Sequence, residues 1–292
     1  MSQTLRPADQ PLRLGLIGDH IEESRSPALH DLAGRLNGVE VSYELLIPAR
    51  LGESFEEVFE SCRRDGFRGL NITYPYKERV LSHVRPCDEA VRAIGSVNTV
   101  VFEPDGPVGY NTDHSGFMAA WRGLFGSERP GDVLMFGAGG VGRAIAFALA
   151  RLGADRIRLV DRDARRTAGL KEALSSIFDI AVEVCAMPLE VGGTVDGIVN
   201  CTPVGMSGHG GTVMPAENLG GARWAFDAVY TPVETRFKQD CELAGIRFLS
   251  GYELFFHQGV DAFEIFSGTQ IADQQLLRAA LRDAGSQRRP AL

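Results

Sequence analysis

The sequence predicts an α/β protein of two domains, each built around a mainly parallel β-sheet. Short apolar runs alternate with segments whose apolar residues recur every three or four positions, the pattern of strands joined by amphipathic helices. The alternation begins near residue 12, pauses at a polar loop over residues 126–132, and then starts again. A chain of 292 residues suits two domains of ordinary size.

The composition describes a water-soluble globular chain and argues against two classes of partner. Apolar residues make up 44% of the chain and charged residues 23%, so the chain can bury a core. The net charge of −8 argues against a nucleic-acid partner, because such proteins present a basic surface. No apolar run approaches the roughly 18 residues of a membrane span, so we expect no membrane partner.

The five cysteines are scattered, and none has the Cys-x-x-Cys spacing of a zinc or redox site. We therefore expect neither a metal nor a disulfide framework. The first dozen residues lack the apolar stretch of a signal peptide, and reduced cysteines are typical of the cytoplasm, which is the compartment we expect. A small anionic substrate remains compatible with this acidic chain, because a pocket can be locally basic.

The first half opens with a β-α-β-α-β pattern, which indicates parallel strands. Its helix Pro27–Leu36 has Ser26 as the expected N-cap and proline in the first helical position. We expect a mixed, mainly parallel sheet here. The other expected elements are strand Leu12–Gly18, strand Val41–Ile47, helix Glu53–Arg64, strand Gly69–Ile72, short helices at 78–84 and 88–93, strand Val97–Phe102, a turn at 103–107, and a helix from about Ser115 to Leu124.

A glycine-rich turn, GAGGVG at residues 137–142, opens the second half. It follows the apolar run Val133–Phe136 and precedes the predicted helix Val141–Leu152. Bare backbone N–H groups at such a helix N-terminus bind phosphate, and glycine allows the ligand to come close. The next strand, Ile157–Val160, leads to Asp161, which has the spacing of about 20 residues expected for a carboxylate that binds ribose hydroxyls. These features predict a Rossmann-type doubly wound domain that binds a dinucleotide.

The predicted dinucleotide-binding domain spans residues 126–251, and the loop 126–132 is its linker. The remaining domain comprises residues 1–125 together with C-terminal helices at about 252–292. The polar loop Thr202–Gly211 follows a strand end, where open parallel sheets bind ligands. Further expected elements are helix Ala164–Ser176, strands Val182–Cys185, Gly197–Asn200 and Ala225–Val229, helix Arg236–Ala244, strand Arg247–Leu249, and helices Tyr252–Phe266 and Asp273–Ala284.

Two hydroxyls lie one residue apart at the start of the first predicted helix, on Ser24 and Ser26. Together with the positive end of the helix dipole they form a fork that can bind a carboxylate. The plainer interpretation is an ordinary N-cap at Ser26, although an N-cap does not require Ser24.

Two further polar clusters follow strands of the first half, at residues 71–77 and 111–114. The first contains Lys77, which by itself would be interpreted as a solvated surface charge. The second contains Asp113 and could be an Asx turn that caps the following helix. If the folded chain brings them together, a lysine, an aspartate and several Asn and Thr side chains suit a polyhydroxylated substrate.

These motifs together resemble the shikimate dehydrogenase family, including its quinate/shikimate dehydrogenase branch, from Gly15 to about Gly268. The resemblance implies NAD(P)-dependent interconversion of shikimate and 3-dehydroshikimate, and of quinate and 3-dehydroquinate, within shikimate metabolism and aromatic amino acid biosynthesis. The matching motifs are SRSPALH at 24–30, GLNITYPYK at 69–77, GSVNTV at 95–100, GYNTDHSGF at 109–117, GAGGVG at 137–142, NCTPVGM at 200–206, DAVYTPVET at 227–235 and HQGVDAF at 257–263.

The resemblance also implies roles for individual residues. It identifies Lys77 and Asp113 as the catalytic pair. The implied substrate contacts are Ser24 and Ser26 for the carboxylate, with Thr73, Asn98, Tyr230 and Gln258 for the rest of the ring. The implied cofactor contacts are Gly137, Ala138, Gly139, Gly140, Val141, Asp161, Arg162, Ala228 and Gly251.

The implied chemistry fits these residue types. Oxidation of an alcohol by hydride loss requires a base for the hydroxyl proton, and burial favours the neutral, proton-accepting form of an amine. A neighbouring carboxylate favours the ammonium instead, so we expect Lys77 and Asp113 to act as one unit in which the aspartate orients the lysine and the hydroxyl. No metal is needed.

Some positions depart from the family pattern and bear on specificity. Many NADP-using members resemble Asn-Arg-Thr where this chain has Asp161-Arg162-Asp163, and a carboxylate there accepts from ribose hydroxyls and repels a 2′-phosphate. NAD is therefore the expected cofactor, and Arg162 leaves NADP as an alternative. Ser26 replaces a threonine common in quinate-using relatives, and Ser250 and Phe255–Phe256 also differ from the common pattern. Shikimate, quinate and an aminoshikimate-type substrate all stay open.

Three other functions fit these residues less well. A catalytically silent protein that senses NAD and a carbocyclic acid would not need both Lys77 and Asp113. A folate-type dehydrogenase is disfavoured by Ser24, Ser26 and Tyr230. A serine hydrolase is set aside because the run at 205–209 lacks the final glycine of a nucleophile elbow. We expect a monomer or a homodimer.

Overall fold

The structure is a computed structural model that describes residues 11–286, and the chain divides into two compact units. The first unit comprises Met1–Cys87, Val97–Thr112 and Gly259–Leu292, of which residues 1–10 and 287–292 lie outside the described part. The second unit comprises Asp88–Ser96 and Asp113–Gln258. Relative to the expected limits at 126 and 251, the second unit also takes in residues 88–96, 113–125 and 252–258.

The first unit contains a mixed six-stranded sheet in the order β2-β1-β3-β5-β6-β4. β1 lies parallel to both β2 and β3, whereas β5 is antiparallel to β3 and β6. The two loops after β1 and β3 therefore emerge at the same edge of the sheet, which places their polar residues together. The strands are β1 (Leu12–Ile17), β2 (Val41–Leu46), β3 (Gly69–Ile72), β4 (Arg85–Pro86), β5 (Thr99–Glu103) and β6 (Gly106–Tyr110).

The expected helices of the first unit form for local reasons as well as by burial. α3 (Phe55–Arg64) has a full capping box between Ser54 and Glu57, and it buries Phe55, Val58, Phe59 and Cys62. Burial of each such large apolar side chain stabilises the fold by roughly 1.5–3 kcal/mol. The other helices are α1 (Ser26–Leu36), the four-residue α2 (Pro48–Leu51), part of α10 (Gly251–Ser267) and α11 (Gln274–Ser286). A 3₁₀ turn covers Arg79–His83 where a short helix was expected.

The second unit contains a fully parallel six-stranded sheet in the order β12-β11-β10-β7-β8-β9. Strand order reverses at β7, so β8 and β10 lie on opposite sides of it. This is the predicted doubly wound Rossmann-type arrangement. The strands are β7 (Asp132–Phe136), β8 (Arg156–Val160), β9 (Ala181–Val184), β10 (Gly197–Asn200), β11 (Trp224–Asp227) and β12 (Arg247–Ser250).

The helices of the second unit pack on both the sheet and one another. The side chains of Trp121 and Trp224 meet edge to face at 4.7 Å, and their indole N–H groups donate to the carbonyls of Glu128 and Pro130. These two hydrogen bonds fix the loop that follows α5 against the rest of this unit. The helices are α4 (Glu89–Ile94), α5 (Thr112–Phe125), α6 (Gly140–Arg151), α7 (Ala164–Ser175), the four-residue α8 (Pro188–Val191), α9 (Arg236–Leu243) and the start of α10.

Two local predictions were wrong. Residues Gly106–Tyr110 form β6 rather than ending a turn, because pairing with β5 overrides the low strand propensity of their glycines and proline. α5 begins at Thr112, so the cluster at 111–114 is not a separate turn and Asp113 lies in the first helical turn. Among residues 11–286, no helix combines the length and apolarity that a bilayer crossing demands.

Candidate active site

The fork of hydroxyls at α1 is present, but Ser26 is not the N-cap. α1 begins at Ser26 itself, and the cap residue Arg25 makes no capping side-chain bond. Ser24 Oγ donates to Ser26 Oγ at 3.2 Å and accepts the Ser26 N–H at 3.2 Å. The prediction that Ser26 is the N-cap was wrong, because Ser26 already lies in the first helical turn. Two adjacent hydroxyls at a helix N-terminus suit a carboxylate.

The loop after β3 holds Thr73 and Lys77 in a tight turn. The Thr73 N–H donates to the Ile17 carbonyl at 2.9 Å, and the Thr73 carbonyl accepts the Tyr76 N–H at 2.8 Å. The Lys77 carbonyl accepts the Val97 N–H at 2.8 Å, and the residue is only 9% exposed. Lys77 is therefore not the solvated surface charge that the sequence left as an alternative.

Asn98 lies in a buried hydrogen-bonded group that leads to the start of α5. It is 2% exposed, its Oδ1 accepts the Thr112 N–H at 2.7 Å, and its Nδ2 donates to Thr112 Oγ1 at 2.9 Å. This pair of bonds fixes the amide orientation of Asn98. The same bonds fix Thr112, which immediately precedes Asp113. Asp113 itself is 4% exposed. A carboxylate in the first turn of α5 is stabilised by the helix dipole.

The same group extends across the sheet beneath Asn98. Thr99 Oγ1 donates to Asn98 Oδ1 at 3.2 Å, and Asn71 Nδ2 donates to Thr99 Oγ1 at 3.1 Å. Tyr43 donates its hydroxyl to Asn71 Oδ1 at 2.9 Å. Buried polar side chains linked in this way hold one another's orientation, because breaking any bond leaves a buried group unsatisfied.

The glycine turn of the second unit has the shape that a phosphate requires. Gly137 adopts φ +94°, and a Cβ there would lie 2.6 Å from the Cys201 carbonyl oxygen. A Cβ at Gly142 would clash with the Gly137 carbonyl oxygen. Gly139 is the N-cap of α6, so the first N–H groups of the helix face the turn. This cradle fits the pyrophosphate of a dinucleotide, with Gly140 and Val141 in the first helical turn.

Asp161 is fixed beside that cradle. Its Oδ2 accepts the Ala138 N–H at 2.8 Å, and its Oδ1 accepts the Asp163 N–H at 2.9 Å. Asp163 in turn caps α7 by accepting the Arg165 N–H at 3.0 Å, and hydrogen bonds from Arg165 lower the pKa of Asp163. Arg162 is exposed. The N-terminal charge of α7 is thus already neutralised by a carboxylate.

Arg166 also lies at the glycine turn, although no motif in the sequence points to it. A Cβ built on Gly139 would lie 3.0 Å from Arg166 Nη1, so this guanidinium lies against the glycine turn. The sequence signal for it is its position five residues after Asp161, in the first turn of the helix that follows β8. A cation there is suited to a phosphate group of the cofactor.

Two expected substrate contacts, Tyr230 and Gln258, and the remaining expected cofactor contacts, Ala228 and Gly251, also lie in the second unit. The Tyr230 ring stacks on Phe255 at 5.1 Å, and Gln258 Nε2 donates to the Phe255 carbonyl at 3.0 Å. The Ala228 N–H donates to the Asn200 carbonyl at 2.8 Å, and a Cβ at Gly251 would lie 2.6 Å from the Ala228 carbonyl oxygen. Position 251 therefore requires glycine, because the backbone of Ala228 lies too close for a Cβ.

Known proteins resemble this chain over nearly its whole length. It is 38% identical to the shikimate dehydrogenase (NADP(+)) of Pseudarthrobacter chlorophenolicus, over 91% of this chain and 92% of that one. It is 37% identical to the quinate/shikimate dehydrogenase (NAD(+)) of Corynebacterium efficiens, over 91% and 96%. The chain belongs to the shikimate dehydrogenase family. 

The shikimate dehydrogenase family assignment agrees with a solved structure and with a family model. The quinate dehydrogenase of Corynebacterium glutamicum in complex with NAD superposes with a TM-score of 0.85 at 33% identity, covering 94% of this chain and 99% of that one. The model of the shikimate dehydrogenase substrate binding domain matches residues 16–100. That range includes Ser24, Ser26, Thr73, Lys77 and Asn98. Among residues 11–286, no group of His, Cys, Asp or Glu side chains could hold a metal ion.

Proposed function

We propose that the protein is an NAD(P)-dependent dehydrogenase that interconverts shikimate and 3-dehydroshikimate, and quinate and 3-dehydroquinate. The observation that carries this proposal is the similarity over 91% of the chain to enzymes named for both substrates and both cofactors. The buried lysine and aspartate and the fork of hydroxyls supply the groups that the reaction needs.

The chain's own residues account for the binding and proton transfer. When bound, the nicotinamide cofactor accepts or returns the hydride. The hydroxyls of Ser24 and Ser26 bind the ring carboxylate, and Thr73, Asn98, Tyr230 and Gln258 contact the ring hydroxyls. These contacts distinguish the reacting carbon from its neighbours by fixing the orientation of the ring.

Lys77 carries the proton. In oxidation its Nζ accepts the hydroxyl proton of the alcohol, and in reduction the ammonium protonates the oxygen of the ketone. Asp113 orients the amine and the substrate hydroxyl. Both side chains are nearly buried, and exclusion of water strengthens these electrostatic contacts.

Both nicotinamide cofactors are compatible with the site, and we propose NAD as the preferred one. Asp161 Oδ1 accepts the Asp163 N–H beside the capped N-terminus of α7, and we expect the Asp161 carboxylate to accept from the ribose hydroxyls and to repel a 2′-phosphate. Arg162 and Arg166 offset part of that repulsion, so NADP remains a weaker second cofactor.

The two units take different parts in this proposal. We propose the first unit, which contains Ser24, Ser26 and Lys77, as the substrate-binding domain. We propose the second unit, which contains the glycine turn, as the cofactor-binding domain; Asp113, Tyr230 and Gln258 also belong to this unit. We also propose a cytoplasmic protein that is a monomer or a homodimer.

The first test of this function is a set of initial rates with purified protein, using shikimate and quinate each with NAD and NADP. We expect NADH formation with at least one of the two acids, and a larger kcat/KM with NAD than with NADP. Tight NAD binding without turnover of any ring acid would favour the sensing function instead. Calorimetry of NAD binding separates these outcomes.

The second test is Lys77→Met, with Lys171→Met on the exposed face of α7 as the matched control. Loss of a general base lowers kcat by about 10²–10⁴-fold. We expect that loss for Lys77→Met with the Kd for NAD nearly unchanged, and wild-type rates for Lys171→Met. An active Lys77→Met enzyme would contradict the assigned role.

A further inference from the structure

Two adjacent strands of the second unit end on buried polar side chains that bond to each other. Asn200 is the last residue of β10 and Asp227 the last of β11, and they are register partners. Asn200 is 0% exposed and Asp227 is 1% exposed. Asn200 Nδ2 donates to Asp227 Oδ1 at 2.9 Å. Buried polar groups at this depth are costly unless every donor has an acceptor.

The Asn200 side-chain amide also forms hydrogen bonds with the loop that follows β10. Its Oδ1 accepts the Thr202 N–H at 2.9 Å and the Thr202 hydroxyl at 2.7 Å. Its Nδ2 also donates to the Val204 carbonyl at 2.9 Å. The amide therefore fixes the backbone of residues 202–204 as they leave the sheet.

The Asp227 carboxylate likewise forms hydrogen bonds with the loop that follows β11. Its Oδ1 accepts the Val229 N–H at 3.0 Å, and its Oδ2 accepts the Thr235 hydroxyl at 2.8 Å. Thr235 is also the N-cap of α9, where it accepts the Lys238 N–H at 3.2 Å. The carboxylate thus holds both ends of the segment 228–235, which carries Ala228 and Tyr230.

The location of these two loops decides what they can contact. The strand of the glycine turn, β7, has β8 and Asp161 on one side and β10 on the other. The Cys201 N–H donates to the Phe136 carbonyl at 2.7 Å, so the loop after β10 starts against the glycine turn. With pyrophosphate at that turn and the adenosine ribose on the β8 side, the nicotinamide half must extend toward β10 and β11.

We propose that Asn200 and Asp227 are positioning residues that hold the two loops against the nicotinamide half of the cofactor. The inference rests on the proposed function only in requiring that NAD binds at the glycine turn. Neither side chain needs to touch the cofactor, because each acts through the backbone of the loop it holds. The adenosine half is bound by other residues, so its affinity does not depend on this pair.

The test compares binding of NAD⁺ with binding of ADP-ribose, which lacks the nicotinamide, by calorimetry. In Asp227→Asn, at least one of the three donors that face the carboxylate loses its acceptor. We expect the Kd for NAD⁺ to rise about tenfold, which corresponds to about 1.4 kcal/mol, and the Kd for ADP-ribose to change less than twofold. Asp196→Asn is the matched control, since Asp196 precedes β10 at the opposite edge of the sheet and accepts the Asp132 N–H. We expect both its Kd values to stay at wild type.

A second pair of variants covers the case in which Asp227→Asn does not fold. Thr235→Val removes the hydroxyl that donates to Asp227, whereas Thr235→Ser keeps it. We expect selective weakening of NAD⁺ binding in Thr235→Val and wild-type binding in Thr235→Ser. Equal weakening of both ligands, no weakening of either, or absence of NAD⁺ binding to the wild type would overturn the inference. If the variants lose NAD⁺ affinity selectively but the wild type turns over no ring acid, the inference is supported and the proposed function is rejected.

Discussion

Acidification should destabilise the first unit through His30. This side chain is 1% exposed in α1, and its ring stacks on Tyr43 at 4.8 Å. Burial lowers the pKa of His30 to about 3, although a hydrogen bond with Asn71 opposes the shift. Nδ1 has no hydrogen-bond partner among the described residues. A proton there would be placed in a site that offers it no acceptor.

The magnitude follows from the difference in proton binding between the folded and unfolded chain. Unfolded His30 takes up a proton below its ordinary pKa of 6.5, whereas the folded form does not until about pH 3. Stability that is present above pH 6.5 is therefore lost progressively as the pH falls toward 3. At pH 5 the loss is about 2 kcal/mol, which lowers the melting temperature by roughly 4–8 °C.

The assay is thermal and urea unfolding at pH 7.5 and pH 5.0, followed by circular dichroism. His30→Gln cannot take up the proton and keeps an amide that can bond to Asn71. We expect the wild type to lose about 2 kcal/mol more than His30→Gln over this interval. His209→Gln, at an exposed position, is the control and should keep the wild-type pH dependence. Equal pH dependence of the wild type and His30→Gln would refute the reasoning.

Three further variants test the site. Gly142→Ala should raise the Kd for NAD at least tenfold by calorimetry, because its Cβ clashes with the glycine turn, whereas Gly169→Ala on open α7 should stabilise by about 0.5–1 kcal/mol in urea unfolding. Asp161→Asn should raise the kcat/KM ratio of NADP to NAD about tenfold, since it removes the carboxylate that accepts from the ribose hydroxyls and repels a 2′-phosphate; an unchanged ratio would contradict the role given to Asp161. Thr112→Val should raise the KM for the ring acid more than the KM for NAD, because Asn98 loses a hydrogen-bond partner; equal changes would contradict this.

Periodicity and turn chemistry predicted most of the elements because both are local properties. The glycine turn, the strand before it and the helix after it all follow from neighbouring residues. β6 was missed for the same reason, since its glycines and Pro107 suggest a turn until β5 is known to pair with it. Asn111 and Asp113 were interpreted as a turn because the same residue types favour turns and helix starts.

The candidate residues of the site could be named from motifs, but their surroundings could not. The sequence left Lys77 either as a surface charge or as a catalytic group, and its burial became visible only in the folded chain. Arg166 carries no motif signal of its own, and its place beside Gly139 depends on how α7 packs.

The sequence by itself determined the α/β class, the dinucleotide fingerprint and the family, because these depend on residue order and on backbone conformations that particular residues impose. Only the tertiary structure decided that Asn200 meets Asp227, 27 residues away, and that Tyr43 bonds to Asn71. Such contacts follow from the register of strands that are distant in sequence. A hydrogen bond is sensitive to a few tenths of an ångström, so residue order alone cannot specify it.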